Sequence, residues 1–277
     1  MKTIKLFLLC AVSVFMLAIF TGFSPAMAEE NVNKTEIKVF VIASLKDVLE
    51  EVTANYEKTH GNVKFTFTYG GSGSLQQMIE QGKSADLFIS AAEKNFTPLV
   101  EKGYINPSQA INFLGNELVL ATPIDNNLVH SLSDLNTNNA QKIAIGNPAT
   151  VPAGMYAKQV FEGLNLYEVL KPKFVLATDV RHALSLIETK QVDAGLVYKT
   201  DALISPQVKI VDTADSSLHD PIIYPMGVLK ATLSPVQTTE YYNYLQTDQV
   251  KETFVKYGFS VLNQKQELNK AKHKPKF

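Results

Sequence analysis

The chain has 277 residues, 45% of them hydrophobic, with 26 Lys and Arg against 27 Asp and Glu for a formal charge of −1. That length buries a large core and makes two domains or one large one, and so even a charge balance excludes the basic surface that nucleic-acid binding requires. The single cysteine, Cys10, falls in the leading segment, so the rest of the chain has no disulfide and no thiolate metal ligand.

Residues 1–28 carry Lys2 and Lys5 ahead of an apolar run and end in Ala26-Met27-Ala28, a small-x-small cleavage pattern. They read as a secretory signal peptide removed after Ala28, because the run of about fifteen apolar residues falls short of the roughly twenty that span a bilayer. Phe7-Leu8-Leu9 before Cys10 lacks the small residue of a lipid-attachment site. The mature protein is expected outside the cytoplasm, in a periplasm or on the outer face of the cell membrane.

IKVFVIAS (37–44) is a β-rich run, and Leu45, Val48, Leu49, Val52 and Tyr56 follow it at helical spacing until Gly61. VKFTFTYGG (63–71) alternates as a strand, Leu75, Met78 and Ile79 mark a short helix that Gly82 closes, and ADLFIS (85–90) is a third strand. The pattern recurs in KIAIGNP (142–148) with a helix from about Gly154 to Leu164, in KFVLAT (173–178) with Val180, Ala183, Leu184 and Ile187 on one helix face, and in AGLVY (194–198). Such alternation indicates βαβ units, whose ligand sites lie beyond the carboxyl ends of the strands.

Between the two sets lies ELVLATP (117–123), and after the second comes IIYPMGVLK (222–230); both read as crossover strands between lobes. The helical set Tyr241, Tyr242, Leu245, Val250, Phe254 and Tyr257 is expected to return to the first lobe. Lobe 1 is therefore expected to comprise residues 35–117 and 228–262, and lobe 2 residues 118–227. The Lys-rich tail, 263–277, is expected to be disordered.

Four stretches place a small or hydroxyl residue where a strand ends and a helix begins: VIASLKDVLEEV, TYGGSGSLQQMI, PATVPAGMYAKQV and LATDVRHALSLIE. Helix starts hold unpaired N–H groups and a partial positive charge, so several converging on one cleft make a site for an anion. Ser44 and Ser72 each offer a hydroxyl and an amide there, with Ser74 the neighbouring alternative in the Gly-rich loop. Ala153 follows Pro152 in a first turn, Val180 follows Thr178-Asp179, and Tyr198 ends a strand from which its hydroxyl can reach the cleft.

These stretches match a family. From about Lys38 to Val261 the sequence resembles the periplasmic molybdate-binding proteins of ABC importers, the ModA-like substrate-binding proteins, through VIASL, YGGSGSLQQMIEQGKSADLFISA, LGNELVLATP, IGNPATVPAGMYAK, TDVRHALSLIE, GLVYKTDA and VKYGF, in that order. The resemblance implies an α/β, two-lobed periplasmic-binding-protein-like fold of type II, each lobe a mixed sheet flanked by helices and the two joined by two crossover strands. It implies a molybdate or tungstate oxyanion held by Ser44, Ser72, Ala153, Val180 and Tyr198, without cofactor or direct metal coordination. It further implies a monomer that delivers the ion to a membrane permease and ATPase of an ABC importer. It assigns the contact at the fourth helix start to the Val180 amide, which leaves Arg181 to brace the helix or the other lobe.

An enzyme is not expected. GGSGSL lacks the Lys of a phosphate-binding P-loop and the third Gly of a dinucleotide fingerprint, and His60, His130, His182, His219 and His273 show neither metal-ligand spacing nor a Ser-His-carboxylate order. The alternative is a protein of the same fold that binds another small anion, such as sulfate or phosphate.

Overall fold

The computed structural model describes residues 34–262; the expected signal peptide and the Lys-rich tail lie outside the described residues. The order begins β1 (Thr35–Ile42), α1 (Lys46–Thr59), β2 (Val63–Gly70), α2 (Ser72–Glu80), β3 (Leu87–Ile89), α3 (Glu93–Glu101) and β4 (Ile105–Gly115). It continues with β5 (Leu118–Pro123), β6 (Ile143–Gly146), α4 (Pro152–Gly163), α5 (Tyr167–Leu170), β7 (Phe174–Ala177), α6 (Val180–Glu188), β8 (Ala194–Tyr198), α7 (Lys199–Leu203) and β9 (Val208–Thr213). Then come β10 (Ile223–Leu229), α8 (Pro235–Tyr244), α9 (Asp248–Lys256) and β11 (Ser260–Val261).

The strands form two mixed sheets. The first has the order β11-β4-β10-β3-β1-β2 and the second β7-β6-β8-β5-β9. In the first, β1 runs parallel to β2 and β3 while β10 runs antiparallel to β3 and β4; in the second, β6 runs parallel to β7 and β8 while β5 runs antiparallel to β8 and β9. The chain passes between sheets twice, once through Asn116 and Glu117 between β4 and β5, and once between β9 and β10. The two predicted crossover strands are thus each an integral member of one sheet, and the crossings themselves are the short connectors at their ends.

Pattern explains placement. Along β1, Ile37, Val39 and Val41 enter the large core that underlies α1 and extends through the second sheet, while Phe40 faces the other way onto a smaller core with Leu75, Ile79, Phe88, Phe96 and Leu99 from α2, β3 and α3. That is the period-2 alternation of a strand buried on both faces. Helices α8 and α9 pack on the elements of the first sheet: Tyr241 Oη lies 2.6 Å from Thr53 Oγ1, and Tyr244 donates to the Val52 carbonyl at 3.0 Å, both partners being on α1.

Helix α4 begins at Pro152, one turn's edge earlier than the expected Gly154, because Pro fits the first helical position where its missing N–H costs nothing. The consequence is functional: Ala153 falls in the first turn, where backbone N–H groups have no intrahelical acceptor.

Candidate functional site

Ser44, Ser72, Ala153, Val180 and Tyr198 are all buried, none more than 2% exposed. Each sits where a strand meets a helix. Ser44 lies in a 3-10 turn, Ala43–Leu45, between β1 and α1; Ser72 is the first residue of α2 after Gly71; Ala153 and Val180 occupy the first turns of α4 and α6; and Tyr198 is the last residue of β8.

Local hydrogen bonding decides which donors remain unspent. In the first turn of α4, Pro152 has no N–H and the Gly154 N–H is taken by the Val151 carbonyl at 3.0 Å, which leaves the Ala153 N–H. In α6, Asp179 caps the helix by accepting from the His182 N–H at 2.9 Å, and its carbonyl accepts from Ala183, so the Val180 N–H at the first helical position has no intrahelical acceptor. At Ser72 the hydroxyl oxygen accepts the Ala91 N–H at 3.0 Å. A backbone N–H can only donate, so the Ser72 hydroxyl proton is left to point elsewhere.

The two sheets bring these starts together. The Gly73 N–H donates to the Thr150 carbonyl at 2.9 Å, joining the start of α2 to the loop before α4. A Cβ at Gly71 would stand 2.7 Å from the Thr150 oxygen and 3.3 Å from the Thr178 oxygen, so only glycine lets three junctions approach here. This accounts for the Gly-rich loop around Ser72 and keeps Ser72 in the first helical position, with Ser74 further along α2 and less buried.

On the opposite side, Arg181 Nη2 reaches the Ser44 carbonyl at 3.4 Å, and the Tyr198 and Tyr224 rings lie 5.7 Å apart with Tyr224 Oη 3.0 Å from Ser44 Oγ. Tyr198 Oη is buried and, among the described residues, has no hydrogen-bond partner. Burial pushes both phenols well above their ordinary range, so each stays protonated and able to donate.

Arg181 is spoken for. It forms an ion pair with Asp47 on α1, and its Nε lies 2.6 Å from Oδ1 of the fully buried Asp201, although the N–H is not aligned on that oxygen as in a good hydrogen bond. Burial lifts the Asp201 carboxyl to about 7, against the pull of Arg181 and with the help of Asp47 and Asp179. The cation beside Val180 therefore ties the α6 start to α1 across the sheets, the bracing role expected for it. A groove of about 710 Å³ beside α4, lined by Lys94, Asn147, Met155, Lys158 and Tyr167 among others, includes none of the five residues.

Sequence reasoning missed Asn116, Tyr224 and Asp201. Asn116 Nδ2 donates to Tyr224 Oη at 3.0 Å and to Thr200 Oγ1 at 2.9 Å. Tyr224 lies in, and Asn116 just before, a segment read only as a strand, Asp201 follows one on a helix not among those expected, and no local period signals such contacts.

Residues 37–260 match the family of bacterial extracellular solute-binding proteins. The chain is 45% identical to YvgL of Bacillus subtilis, a presumptive ABC transporter substrate-binding lipoprotein, over 82% of this chain and 87% of that one. It is 34% identical to the molybdate-binding protein ModA of Escherichia coli, over 85% of this chain and 91% of the other. Its fold superposes on the periplasmic molybdate-binding protein of Azotobacter vinelandii with a TM-score of 0.74 at 23% identity, covering 82% of this chain and all of that one. Two mixed sheets joined by two crossings and relatives of this kind give one conclusion: the chain belongs to the bacterial extracellular solute-binding protein family as a ModA-like substrate-binding protein, not an enzyme.

Proposed function

We propose that this protein captures molybdate, and tungstate with it, from outside the cytoplasm and hands it to the permease and ATPase of an ABC importer. The protein acts as a monomer whose two lobes close on the ion, one built on the first sheet and the other on the second; because β10 joins the first sheet from Ile223 on, the second boundary falls before Ile223 and not at the expected 228. Its donors are the hydroxyls of Ser44, Ser72 and Tyr198 and the amides of Ala153 and Val180. The observation that carries this reading is that five buried, neutral donor groups lie at strand-to-helix junctions of both sheets, while Arg181, the cation beside Val180, is engaged by two carboxylates. A ring of donors without acceptors favours a fully ionised tetrahedral oxyanion. Hydrogen phosphate brings a proton that finds no acceptor, and sulfate, being smaller, meets the same ring with longer hydrogen bonds.

The test is a thermal-shift panel of molybdate, tungstate, sulfate and phosphate. A ligand that binds only the folded state adds about 4 kcal/mol at a thousandfold excess over Kd, so molybdate and tungstate should raise the melting temperature well beyond sulfate or phosphate. Equal shifts from sulfate and molybdate would remove the assigned specificity. Ser44→Ala and Ser72→Ala should each weaken molybdate binding by roughly 1.5–3 kcal/mol, the value of a hydrogen bond to a charged partner. Calorimetric affinities unchanged in both variants would mean the donors are misplaced.

A further inference from the structure

Tyr224 is fully buried, its hydroxyl lies within hydrogen-bond distance of Ser44, and nothing in the ligand reading above uses it. Its contact with Asn116 has a fixed direction. The Asn116 side-chain oxygen accepts the Glu117 N–H at 2.9 Å, which sets the amide orientation and turns the NH2 group toward Thr200 Oγ1 and Tyr224 Oη. The NH2 group is donor only, so the Tyr224 oxygen accepts from Asn116. In the 3.0 Å contact between Tyr224 Oη and Ser44 Oγ either hydroxyl can be the donor. With Ser44 Oγ accepting from Tyr224, its single O–H is left for a partner other than Tyr224.

We infer that Tyr224, held by Asn116, is the donor in this pair, a positioning residue that fixes the Ser44 hydroxyl as a donor into the cleft and so sets the site against protonated oxyanions. This rests on the reading of Ser44 as an anion contact. The relay spans the fold: Thr200 stands on α7 beside the second sheet, Asn116 in the first crossing between sheets, and Tyr224 on β10 of the first sheet. Ser44 after β1, Tyr224 on β10 and Asn116 after β4 thus all belong with the first sheet, and Thr200 alone comes from the second. Ser72 obtains the same polarity from the Ala91 N–H, which no side-chain substitution can remove; Ser44 alone depends on a side chain.

The experiment is a calorimetric double-mutant cycle with molybdate on wild type, Ser44→Ala, Tyr224→Phe and the double variant, with phosphate titrated in parallel. Tyr224→Phe keeps the ring and its packing, and it should weaken molybdate binding about tenfold, the loss of roughly one hydrogen bond's worth of orientation. Added to Ser44→Ala it should cost nothing further, because its effect runs through Ser44. The ratio of molybdate to phosphate affinity should also fall in Tyr224→Phe, since a freed Ser44 oxygen can accept the phosphate proton. If Ser44→Ala weakens binding and Tyr224→Phe does not, or if the two losses multiply, the positioning role is wrong while the anion site stands. An unchanged ratio, with both anions weakened by one factor, overturns the selectivity role. If Ser44→Ala itself binds like wild type, the underlying assignment of Ser44 fails first.

Discussion

Gly154→Ala is expected to lower the melting temperature by roughly 6–12 °C and to weaken molybdate binding at least tenfold. A Cβ at this position would stand 1.8 Å from the Gly146 oxygen, 2.3 Å from its carbonyl carbon and 2.9 Å from its Cα. All three obstacles are backbone of β6, so no rotamer change relieves them. The first turn of α4 must instead lift off the sheet by on the order of 1.5 Å to restore a van der Waals separation. Overpacking of this kind typically costs 1–3 kcal/mol, and more where backbone is the obstacle, so about 3 kcal/mol is expected. At roughly 2–4 °C per kcal/mol for a chain of this size, that gives the stated shift. The Ala153 N–H rides on the displaced turn, and a donor moved that far leaves hydrogen-bond range, with the loss of about 1.5–3 kcal/mol for a bond to a charged acceptor. Gly61→Ala is the control, since a Cβ there meets nothing within 4 Å, and its melt should stay within about 1 °C of wild type. A Gly154→Ala protein that melts with wild type would show that α4 does not approach β6 this closely.

Much of this architecture is written in short-range pattern. The strands β1, β2, β6, β7 and β8 and the helices α1, α2, α4 and α6 follow from apolar runs with clean periods bounded by Gly or Pro, because each is buried on a predictable face. Two elements of the first sheet escape such reading. Pro98 lies inside α3 and argues against a helix in any local view, yet Phe96 and Leu99 bury against Phe88 and Ile105 and hold it. The start of β4 reads Asn106-Pro107-Ser108, the chemistry of a turn. It is tolerated because the register with β10 shifts there, Ala110 pairing with Gly227 and Ile105 with Leu229, so Pro107 falls in the irregularity and breaks no ladder bond.

The candidate site divides in the same way. Ser44, Ser72, Ala153 and Val180 are legible because a helix start is a local feature and its unpaired amides are a local necessity. Tyr224 is 180 residues from Ser44 and 108 from Asn116, and the Arg181 pairs bridge 134 and 20 positions. Contacts of that kind have no sequence period. They depend on strand order within each sheet for Tyr224 with Ser44 and for Arg181 with Asp201, and on packing between the sheets for Arg181 with Asp47, and not on any one segment.

Arg181→Met is the other large effect, and its size should depend on pH. Asp201 is fully buried with Arg181 as its counterion. Removing one partner of a buried pair costs about 3–5 kcal/mol while the other stays charged, but Asp201 has a way out. Its folded-state pKa of about 7 lies above the ordinary aspartate value, with burial as the first cause. Between roughly pH 4, where an unfolded Asp titrates, and pH 7, the folded state holds a proton that the unfolded state has released. Stability from this group is thus fully present at low pH, declines as pH rises through that window and levels off above it. The charge and hydrogen bonding of Arg181 pull the Asp201 pKa down, so its loss carries the decline to higher pH. The deficit of Arg181→Met should therefore be small near pH 5 and grow above pH 7 by at most about 1.4 kcal/mol per pH unit, to roughly 1 kcal/mol near pH 8 and roughly 2–3 kcal/mol near pH 9, on the way to the full about 3–5 kcal/mol. Asp201→Asn should flatten the decline in the wild-type background and recover most of the deficit when combined with Arg181→Met. The ion pair from Arg181 to Asp47, half in solvent on the Asp47 side, contributes little by comparison. Melts from pH 5 to 9 decide the matter: a deficit constant across that range would place the cost of losing Arg181 in packing or in the Asp47 contact, and not in the buried carboxylate.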